Sequence, residues 1–466
     1  MKSDQCRFSF WHPVRRIVFV IATLVTFITL FYVIENWRGR HAWEKYKAEL
    51  TTQGERLSLS DYAVKPVPAE QNFAETPILR AIAYKSTMDT NAWEKFRSVR
   101  GIQTFSPMGP DVVRKENAEE ILNAFQPIEP EIAELRAAAK RPYAQFTNNQ
   151  ANAFLADLPN FVAMRTITQF LILHSYAELA GGHSDRAFAD IEVVHRLADA
   201  LNVPSTLVTA MMRVAILGAT LGPFEQGLST GAWSEQELAA FQKYFESVDL
   251  LTGFDAALRG GERNGITKLV EDLPRQQLTE TMAGRDVQNM QEYLFKLAVR
   301  WCPRGWLYQN AINYSRMMQK SVEVYDVRAQ RVFPEKCDAA LAYILKELQV
   351  ASPFKYLAGR AVPNLARATQ AMAQQQAHLH EAALACALER YRRAHGEYPE
   401  NLAALVPQSM NKLPNDLMTG EALKYQRAEK DKFRLYSVGW NLKDDGGTRN
   451  TNRMAGDWVW PPAKQQ

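Results

Sequence analysis

The stretch Ile17–Ile34 (IVFVIATLVTFITLFYVI) decides how the rest of this chain is organised. Its eighteen residues include no charged residue, no proline and no glycine. As an α-helix it would be about 27 Å long, which is enough to cross the hydrocarbon core of a bilayer. The sequence therefore predicts a transmembrane helix over 17–34 that contacts lipid and anchors the rest of the 466 residues.

The residues around this stretch favour a retained anchor over a cleaved signal peptide. A signal peptide has a shorter apolar region that ends in small residues at a cleavage site, whereas Glu35-Asn36-Trp37-Arg38 follows here. Trp11 and Trp37 flank the stretch, as is typical of tryptophans at the two membrane–water interfaces. A buried core helix is disfavoured because an all-apolar segment near one terminus has little to pack against.

The orientation of this anchor is not set by its flanking charges. Lysine and arginine residues are nearly balanced on the two sides of the stretch, so the positive-inside rule decides little. A short tail inside the cell and a large body outside is the usual arrangement for an anchor of this kind. We therefore expect residues 1–16 on the inner side and the bulk of the chain outside.

The composition supports a folded body and argues against nucleic-acid binding. Apolar residues make up 47% of the chain, which is ample for a hydrophobic core. The net charge of +4 is small for this length, and no basic stripe with interleaved aromatic residues is present. Three cysteines fall in the body, so either a Cys302–Cys337 bridge with Cys386 free or three buried free thiols is compatible with the sequence.

Helical periodicity dominates most of the body, which predicts a mainly α fold. Trp43, Tyr46 and Leu50 recur at helical spacing after the anchor, and Ser234 with Glu237 forms a capping box. The prolines between Lys65 and Pro77 favour extended chain. Helices over 161–180 and 184–201, separated by Gly181-Gly182, predict a helical hairpin of the solenoid type. The predicted organisation is a tail over 1–16, the membrane helix over 17–34, a neck over 35–110, a helical domain over 111–362 and a small α+β module over 363–466.

The last hundred residues contain an ordered series of motifs. A long apolar-striped helix over 364–395 leads into Gly396-Glu397-Tyr398-Pro399, followed by Leu413-Pro414-Asn415-Asp416. Two β-rich runs around Glu429-Lys430-Asp431 predict a hairpin, and Tyr436-Ser437-Val438-Gly439 precedes an acidic loop. This order resembles the soluble part of the major pseudopilin of type II secretion systems. That resemblance covers about a fifth of the chain.

The chain departs from that family at its beginning. A pseudopilin has a prepilin cleavage site directly before a membrane helix that continues into the stem, and neither feature adjoins the 363–466 region here. Trp43-Glu44-Lys45-Tyr46 is followed by Gly54-Glu55-Arg56-Leu57 and by Gln71-Asn72-Phe73-Ala74. This order of motifs resembles large membrane-anchored proteins of planctomycete and verrucomicrobial bacteria, for which we know of no assigned activity. These resemblances imply a single-pass protein of the bacterial inner membrane with a periplasmic body.

The pseudopilin resemblance also implies a metal site. That family binds calcium in its C-terminal loop, and the matching carboxylates here are Asp444, Asp445 and Asp457. Hard oxygen donors in a tight glycine-bearing loop suit calcium, although Arg449 and Arg453 add unhelpful positive charge. A solvated polar loop without metal is the alternative interpretation.

No motif of a known catalytic site is present in the sequence. We find no Gly-x-Ser-x-Gly, phosphate loop or dinucleotide fingerprint. His174 and His195 lie in apolar helical runs, which favours buried core histidines over catalytic ones. The predicted function is a membrane-anchored envelope protein that binds a protein partner, linked to secretion or pilus-like machinery, rather than an enzyme. The alternative is a membrane-tethered hydrolase of envelope polymers with its site in the helical domain.

Overall fold

The computed structural model describes most of the chain, with short gaps. The described residues are 11–62, 64–97, 113–146, 159–202, 206–283, 289–349, 352–362, 365–450, 452 and 454–462. Asp111, Pro204 and Asn364, at which the sequence places helix starts, and Cys6 and Arg453 lie outside these residues. The fold is mainly α-helical, which confirms the predicted class.

Helices make up most of the described chain, and its strands are short. In chain order, the helices are α1 Trp11–Thr52, α2 Pro77–Ile82, α3 Thr90–Arg97, α4 Lys115–Phe125, α5 Glu129–Ala139, α6 Phe161–Gly181, α7 Ser184–Ala200, α8 Leu207–Ser229, α9 Glu235–Ser247, α10 Leu250–Ala256, α11 Gly265–Asp272, α12 Arg275–Ala283, α13 Met290–Trp301, α14 Arg304–Val322, α15 Pro334–Gln349, α16 Tyr356–Ala361 and α17 Leu365–His395. A π-helical segment, Ala257–Asn264, joins α10 to α11. The strands are β1 Tyr325–Asp326, β2 Arg331–Val332, β3 Lys424–Glu429, β4 Lys432–Ser437 and β5 Trp458–Val459.

The described residues divide into two compact units. The first, which we call the anchor unit, draws its residues from Met1–Leu57, Ile266–Met318 and Ile344–Pro363. The second, which we call the main unit, draws them from Ser58–Gly265, Gln319–Tyr343 and Asn364–Gln466. Each unit is therefore assembled from segments that are far apart in the sequence.

One helix, α1, dominates the anchor unit. It runs without a break for 42 residues, from the predicted membrane segment into the folded part of the unit. Trp43, Tyr46 and Leu50 are buried, as their helical spacing predicts. The Trp43 indole N–H and the Lys47 ammonium both donate to Glu271 on α11, at 2.6 and 2.7 Å. These contacts join the second half of α1 to the rest of the unit.

A contact between two glycines brings α1 against α14. A Cβ on Gly39 would overlap the backbone of Gly305, and a Cβ on Gly305 would overlap the Glu35 carbonyl. The Gly305 N–H donates to the Asn36 side-chain oxygen at 3.0 Å, which fixes the register of this approach. Small residues allow helix backbones to come this close, and any larger side chain would separate them.

The main unit contains the predicted helical hairpin α6–α7. Asn160 caps α6 by accepting from the Ala163 N–H, and Gly182 ends it in the left-handed conformation with φ of 85°. The hydroxyl of Ser234 and the carboxylate of Glu237 cap α9 reciprocally, which confirms the predicted capping box. Local chain chemistry of this kind sets where these helices begin and end.

The helix α8 is apolar enough to cross a membrane, but its surroundings are those of a core helix. Of its most apolar eighteen-residue window, 61% is buried within the fold, against 0% for the corresponding window of α1. Phe224 on α8 packs against Phe241 and Phe245 of α9, with ring centroids 4.9 and 5.1 Å apart. Arg213 on the same helix is buried and donates to the Asp249 carbonyl at 3.1 Å.

The C-terminal part of the main unit pairs a long helix with a small antiparallel sheet. Gly396, with φ of 84°, ends α17, and β3 and β4 form the predicted hairpin. A third strand, β5, pairs with β4 through Tyr436–Val459 and Ser437–Trp458. The α+β arrangement is the predicted one, and its relation to pseudopilins stays a prediction.

Two local predictions are wrong. The stretch 72–77, predicted as extended chain, forms the 3-10 turn Phe73–Glu75 and then the start of α2. The Asn72 side chain accepts from the Ala74 N–H, and Pro77 occupies the first turn of the helix, where proline needs no hydrogen-bond donor. The helical spacing of apolar residues from Leu307 to Tyr325 also predicts one helix, but the helix ends at Val322, because Tyr325 pairs with Val332 in a two-stranded ladder.

We expect Gly39→Ala to destabilise the anchor unit. The added methyl group meets backbone atoms that cannot move aside, so the free energy of unfolding should fall by about 1–3 kcal/mol. Arg40→Ala is the matched control, because Arg40 is exposed on the same helix and its loss should change stability by no more than about 0.5 kcal/mol. Thermal unfolding in detergent, followed by circular dichroism, measures both. Equal melting temperatures for the two variants would contradict the close helix contact.

Candidate functional site

The predicted membrane segment of α1 presents its apolar side chains outward. The side chains of Ile17, Phe19, Phe27 and Leu30 are half or more exposed, and no residue between Ile17 and Ile34 is buried in the described fold. A soluble protein rarely exposes so large a contiguous apolar surface, because its contact with water is unfavourable. The structure therefore contains an N-terminal helix that is long and apolar enough to cross a membrane.

Three threonine hydroxyls lie within this segment, and each is satisfied by its own helix. Thr23, Thr26 and Thr29 donate to the carbonyl oxygens four residues earlier, each at 2.8 Å. A polar group without a partner is costly in hydrocarbon, so internal bonds of this kind suit a lipid environment. The polar content of the segment is thus compatible with the bilayer core.

Polar and aromatic groups of the anchor unit begin where the apolar segment ends. The Tyr32 hydroxyl donates to the Trp301 carbonyl, and the Trp306 indole lies edge-on to Phe31 with centroids 6.1 Å apart. One turn further, the Glu35 carboxylate accepts from the Trp306 indole at 2.9 Å and from Arg38 at 2.7 Å. Aromatic residues with polar tips favour the membrane–water interface, so this level of α1 has the chemistry of that interface.

In the main unit, a charged network is buried between α5, α6 and α7. The Asp190 carboxylate is fully buried; its Oδ1 accepts from Arg136 at 2.6 Å, and its Oδ2 lies 2.7 Å from His174 Nδ1. The other ring nitrogen of His174 lies 3.7 Å from Glu129 and 3.8 Å from Glu178. Phe125 covers one side of the ring at 4.7 Å between centroids.

This network contains an Asp–His pair like that of a hydrolase, but no nucleophile faces the second ring nitrogen of His174 among the described residues. An Asp–His pair is the base and its orienting partner in many hydrolases, in which the second ring nitrogen faces a nucleophile. Here that nitrogen faces the carboxylates of Glu129 and Glu178 instead of a hydroxyl or thiol. The geometry is that of a buried ion network that fixes three helices in register. The apolar helical run around His174 predicts a core residue, but no local pattern indicates its ionic partners.

His195 is the second predicted core histidine, and its environment is different. Its ring stacks on Tyr244 with centroids 3.8 Å apart, and its Nε2 lies 3.3 Å from the Thr220 hydroxyl. Because that hydroxyl donates to the Leu217 carbonyl, Nε2 is the donor to Thr220. Burial lowers the pKa of His195 to about 3, so the ring is neutral in the folded protein.

A small pocket in the main unit lies beside Arg213. Asn202, Gly253, Phe254 and Met372 contribute to its lining. Its free volume of about 10 Å³ is room for about one water molecule. Ligand pockets in proteins are typically larger by more than an order of magnitude (about 300–1,000 Å³). This pocket therefore has no room for a substrate.

The three carboxylates of the predicted calcium site lie in one loop region but hold different partners. Asp457 accepts from the backbone N–H groups of Asp445, Gly447 and Thr448, at 3.3, 2.6 and 3.3 Å. Partial burial raises its pKa, although these three bonds oppose the shift. Asp457 therefore organises the loop by accepting from its backbone.

The other two carboxylates make bonds within the same loop region. Asp444 accepts from the Tyr436 hydroxyl at 2.9 Å, and Asp445 accepts from the Asn441 amide at 2.9 Å. Across the residues that the structure describes, no three His, Cys, Asp or Glu side chains converge to hold a metal ion. The calcium site at Asp444, Asp445 and Asp457 remains a prediction of the resemblance.

Cys302, Cys337 and Cys386 are all free thiols.

No relative of the chain was found among known proteins. No protein-family model matches the chain, and neither a curated protein nor a solved structure is significantly similar to it. The function therefore has to be inferred from the chain itself.

We expect Asp190→Asn to destabilise the main unit. The substitution removes the negative charge that pairs with Arg136 and His174, and breaking a buried ion pair by removing one partner costs about 3–5 kcal/mol. Asp185→Asn is the matched control, because Asp185 is exposed in the first turn of the same helix. Denaturant unfolding measures both, and an Asp190→Asn variant as stable as Asp185→Asn would refute the structural role.

We expect His195 to make the protein less stable in acid. The pKa of His195 is about 3 in the folded state and about 6.5 in the unfolded state, so protons bind preferentially to the unfolded chain as the pH falls below 6.5. Between pH 7 and pH 5 this linkage removes about 2 kcal/mol of stability. The His195→Gln variant should lack this component, whereas the exposed His395→Gln variant should keep it. Identical pH slopes for wild type and His195→Gln in denaturant unfolding would exclude a buried neutral histidine.

Proposed function

We propose that the protein is a single-pass protein of a bacterial inner membrane whose folded body binds other envelope proteins. The observation that carries this proposal is the unbroken course of α1 from an exposed apolar segment into a packed unit. A cleaved signal peptide would have no reason to continue into the folded core. The buried side chains of Trp43, Tyr46 and Leu50 support retention of the anchor, because cleavage after the apolar segment would remove the start of the helix that carries them.

The interaction role is supported by what the main unit is made of. Its helical hairpin packs on an aromatic core, the pocket near Arg213 has room for about one water molecule, and the buried Asp190 carboxylate pairs with Arg136. A scaffold of this kind acts through its surface, and helical arrays offer grooves for partner segments. The α+β region after Leu365 adds a second surface, for which the pseudopilin resemblance suggests a link to secretion or pilus-like machinery.

The alternative function, a membrane-tethered hydrolase, would use the pair of Asp190 and His174. The carboxylates around the ring of His174 and the burial of Asp190 favour the structural role described above. A catalytic pair should also open onto a cleft that admits a polymer. We therefore rank protein interaction first.

Crosslinking in intact cells tests the interaction. The tagged full-length chain should be recovered from solubilised membranes with one partner protein near stoichiometric amounts. A tagged protein that carries only residues 1–40 before an unrelated soluble domain is the control for contacts made by the anchor alone. Mass spectrometry measures the ratio of partner to bait, and recovery of no protein above the control level would contradict the proposal.

The same cells test the location. The chain should stay in the membrane pellet after an alkaline carbonate wash, and protease added to spheroplasts should digest the body. Release into the wash would contradict the anchor. Protection of the body from external protease would contradict the periplasmic orientation.

A further inference from the structure

The helix α13 carries an apolar face that is exposed among the residues that the structure describes. The residues of this face are Met290, Tyr293, Leu294, Leu297 and Trp301, and they are between 43% and 69% exposed. Their spacing of three and four residues places them on one side of the helix. Phe295 and Val299 lie on the opposite side and are buried, so they hold α13 to the anchor unit.

The position of this face in the anchor unit indicates what covers it. The carbonyl of Trp301, the last residue of α13, accepts from the hydroxyl of Tyr32, two residues before the apolar segment of α1 ends. Arg275 donates to the carbonyl of Arg300, in the last turn of α13, and to that of Cys302, just beyond the helix, which fixes this end of α13. The apolar face therefore begins at the level where α1 meets the membrane–water interface.

The polar residues of α13 specify how deep it can lie. Glu292 is in its first turn, and Lys296 and Arg300 follow along one flank of the apolar face. Charged groups are costly in the hydrocarbon core, but long basic side chains reach lipid headgroups from the interface. An amphipathic helix with this distribution binds in the interfacial plane, with its apolar face about 5–10 Å into the headgroup and acyl boundary.

We propose that α13 is an interfacial helix that lies on the bilayer beside the transmembrane segment, with Met290, Tyr293, Leu294, Leu297 and Trp301 in contact with lipid. The proposal deepens the proposed function, because it relies on α1 as a membrane anchor. It assigns a second lipid contact to a segment more than 250 residues away from the first in sequence (Leu297 against Ile34). Lys296 and Arg300 would contact anionic headgroups.

Site-specific fluorescence in vesicles tests this proposal on the full chain. An environment-sensitive NBD label is placed at Leu297→Cys, with Tyr293→Cys as a second position on the same face. Val25→Cys reports the centre of the anchor, and Glu49→Cys reports an exposed site on α1 about 22 Å beyond Ile34. The background carries Cys6→Ser and Cys302→Ser; Cys337 and Cys386 stay, because they are buried and burial raises the pKa of both thiols.

The vesicles contain phosphatidylcholine and phosphatidylglycerol, with lipids brominated near either end of the acyl chain. The labels at Leu297 and Tyr293 should emit at shorter wavelength than the label at Glu49. They should be quenched most by bromine near the headgroup end, whereas the label at Val25 should be quenched most by bromine near the methyl end. Iodide in the water should quench the Glu49 label several-fold more than either label on α13.

The outcomes separate this inference from the proposed function. If Val25 is protected and Leu297 is as accessible to iodide as Glu49, the anchor holds and the interfacial helix is refuted. If the α13 labels resist iodide but no brominated lipid quenches them, a second copy or a partner protein covers the face and the lipid contact is refuted. If iodide also reaches the Val25 label, the anchor itself fails.

Discussion

The approach of Gly39 to Gly305 is the contact on which the anchor unit depends. It lets the backbones of α1 and α14 touch, and the bond between the Gly305 N–H and Asn36 sets their register. One turn later, Glu271 holds α1 through Trp43 and Lys47. Because a helix is stiff over this length, the direction of the apolar segment is fixed relative to the folded part of its unit. A flexible linker would have left that direction free.

Polar groups have hydrogen-bonding or ionic partners both in the apolar segment of α1 and in the core of the main unit. In a bilayer Thr23, Thr26 and Thr29 would have no water, and their hydroxyls bond to their own helix. Asp190 has no water in the core, so it takes Arg136 and His174 as partners. In both places the partner is dictated by the cost of an unsatisfied polar group. Dense polar contacts therefore need not mark a catalytic site in this protein.

Features set by neighbouring residues were predictable from the sequence. The left-handed stop at Gly182, the capping box at Ser234 and the β3–β4 hairpin each depend on a few consecutive side chains. The long apolar helix over 17–34 was predictable because its signal is its own composition. The prolines alone predict extended chain over 72–77, but the Asn72 side chain accepts from the Ala74 N–H and favours a turn there.

The contacts that define the candidate sites were not predictable, because they join distant residues. Gly39 and Gly305 are ordinary glycines in the sequence, and nothing local pairs Arg136 with Asp190. The apolar residues of α13 recur at helical spacing in the sequence, but that spacing does not tell whether the face they form is buried by protein. Only the fold reveals that Phe295 and Val299 occupy the packed side and leave the broader stripe outside.

The exposed face of α13 also bears on what a single transmembrane helix can do. A lone helix leaves the unit attached to it free to tilt and to rotate about the helix axis. A second contact in the interfacial plane restricts both motions, because tilting would lift its apolar residues into water. With α1 and α13 both in lipid, the anchor unit would keep one side facing the membrane and one fixed face turned away from it. A protein that recruits partners at a membrane gains from such a fixed presentation, since less orientational freedom is lost when the partner binds.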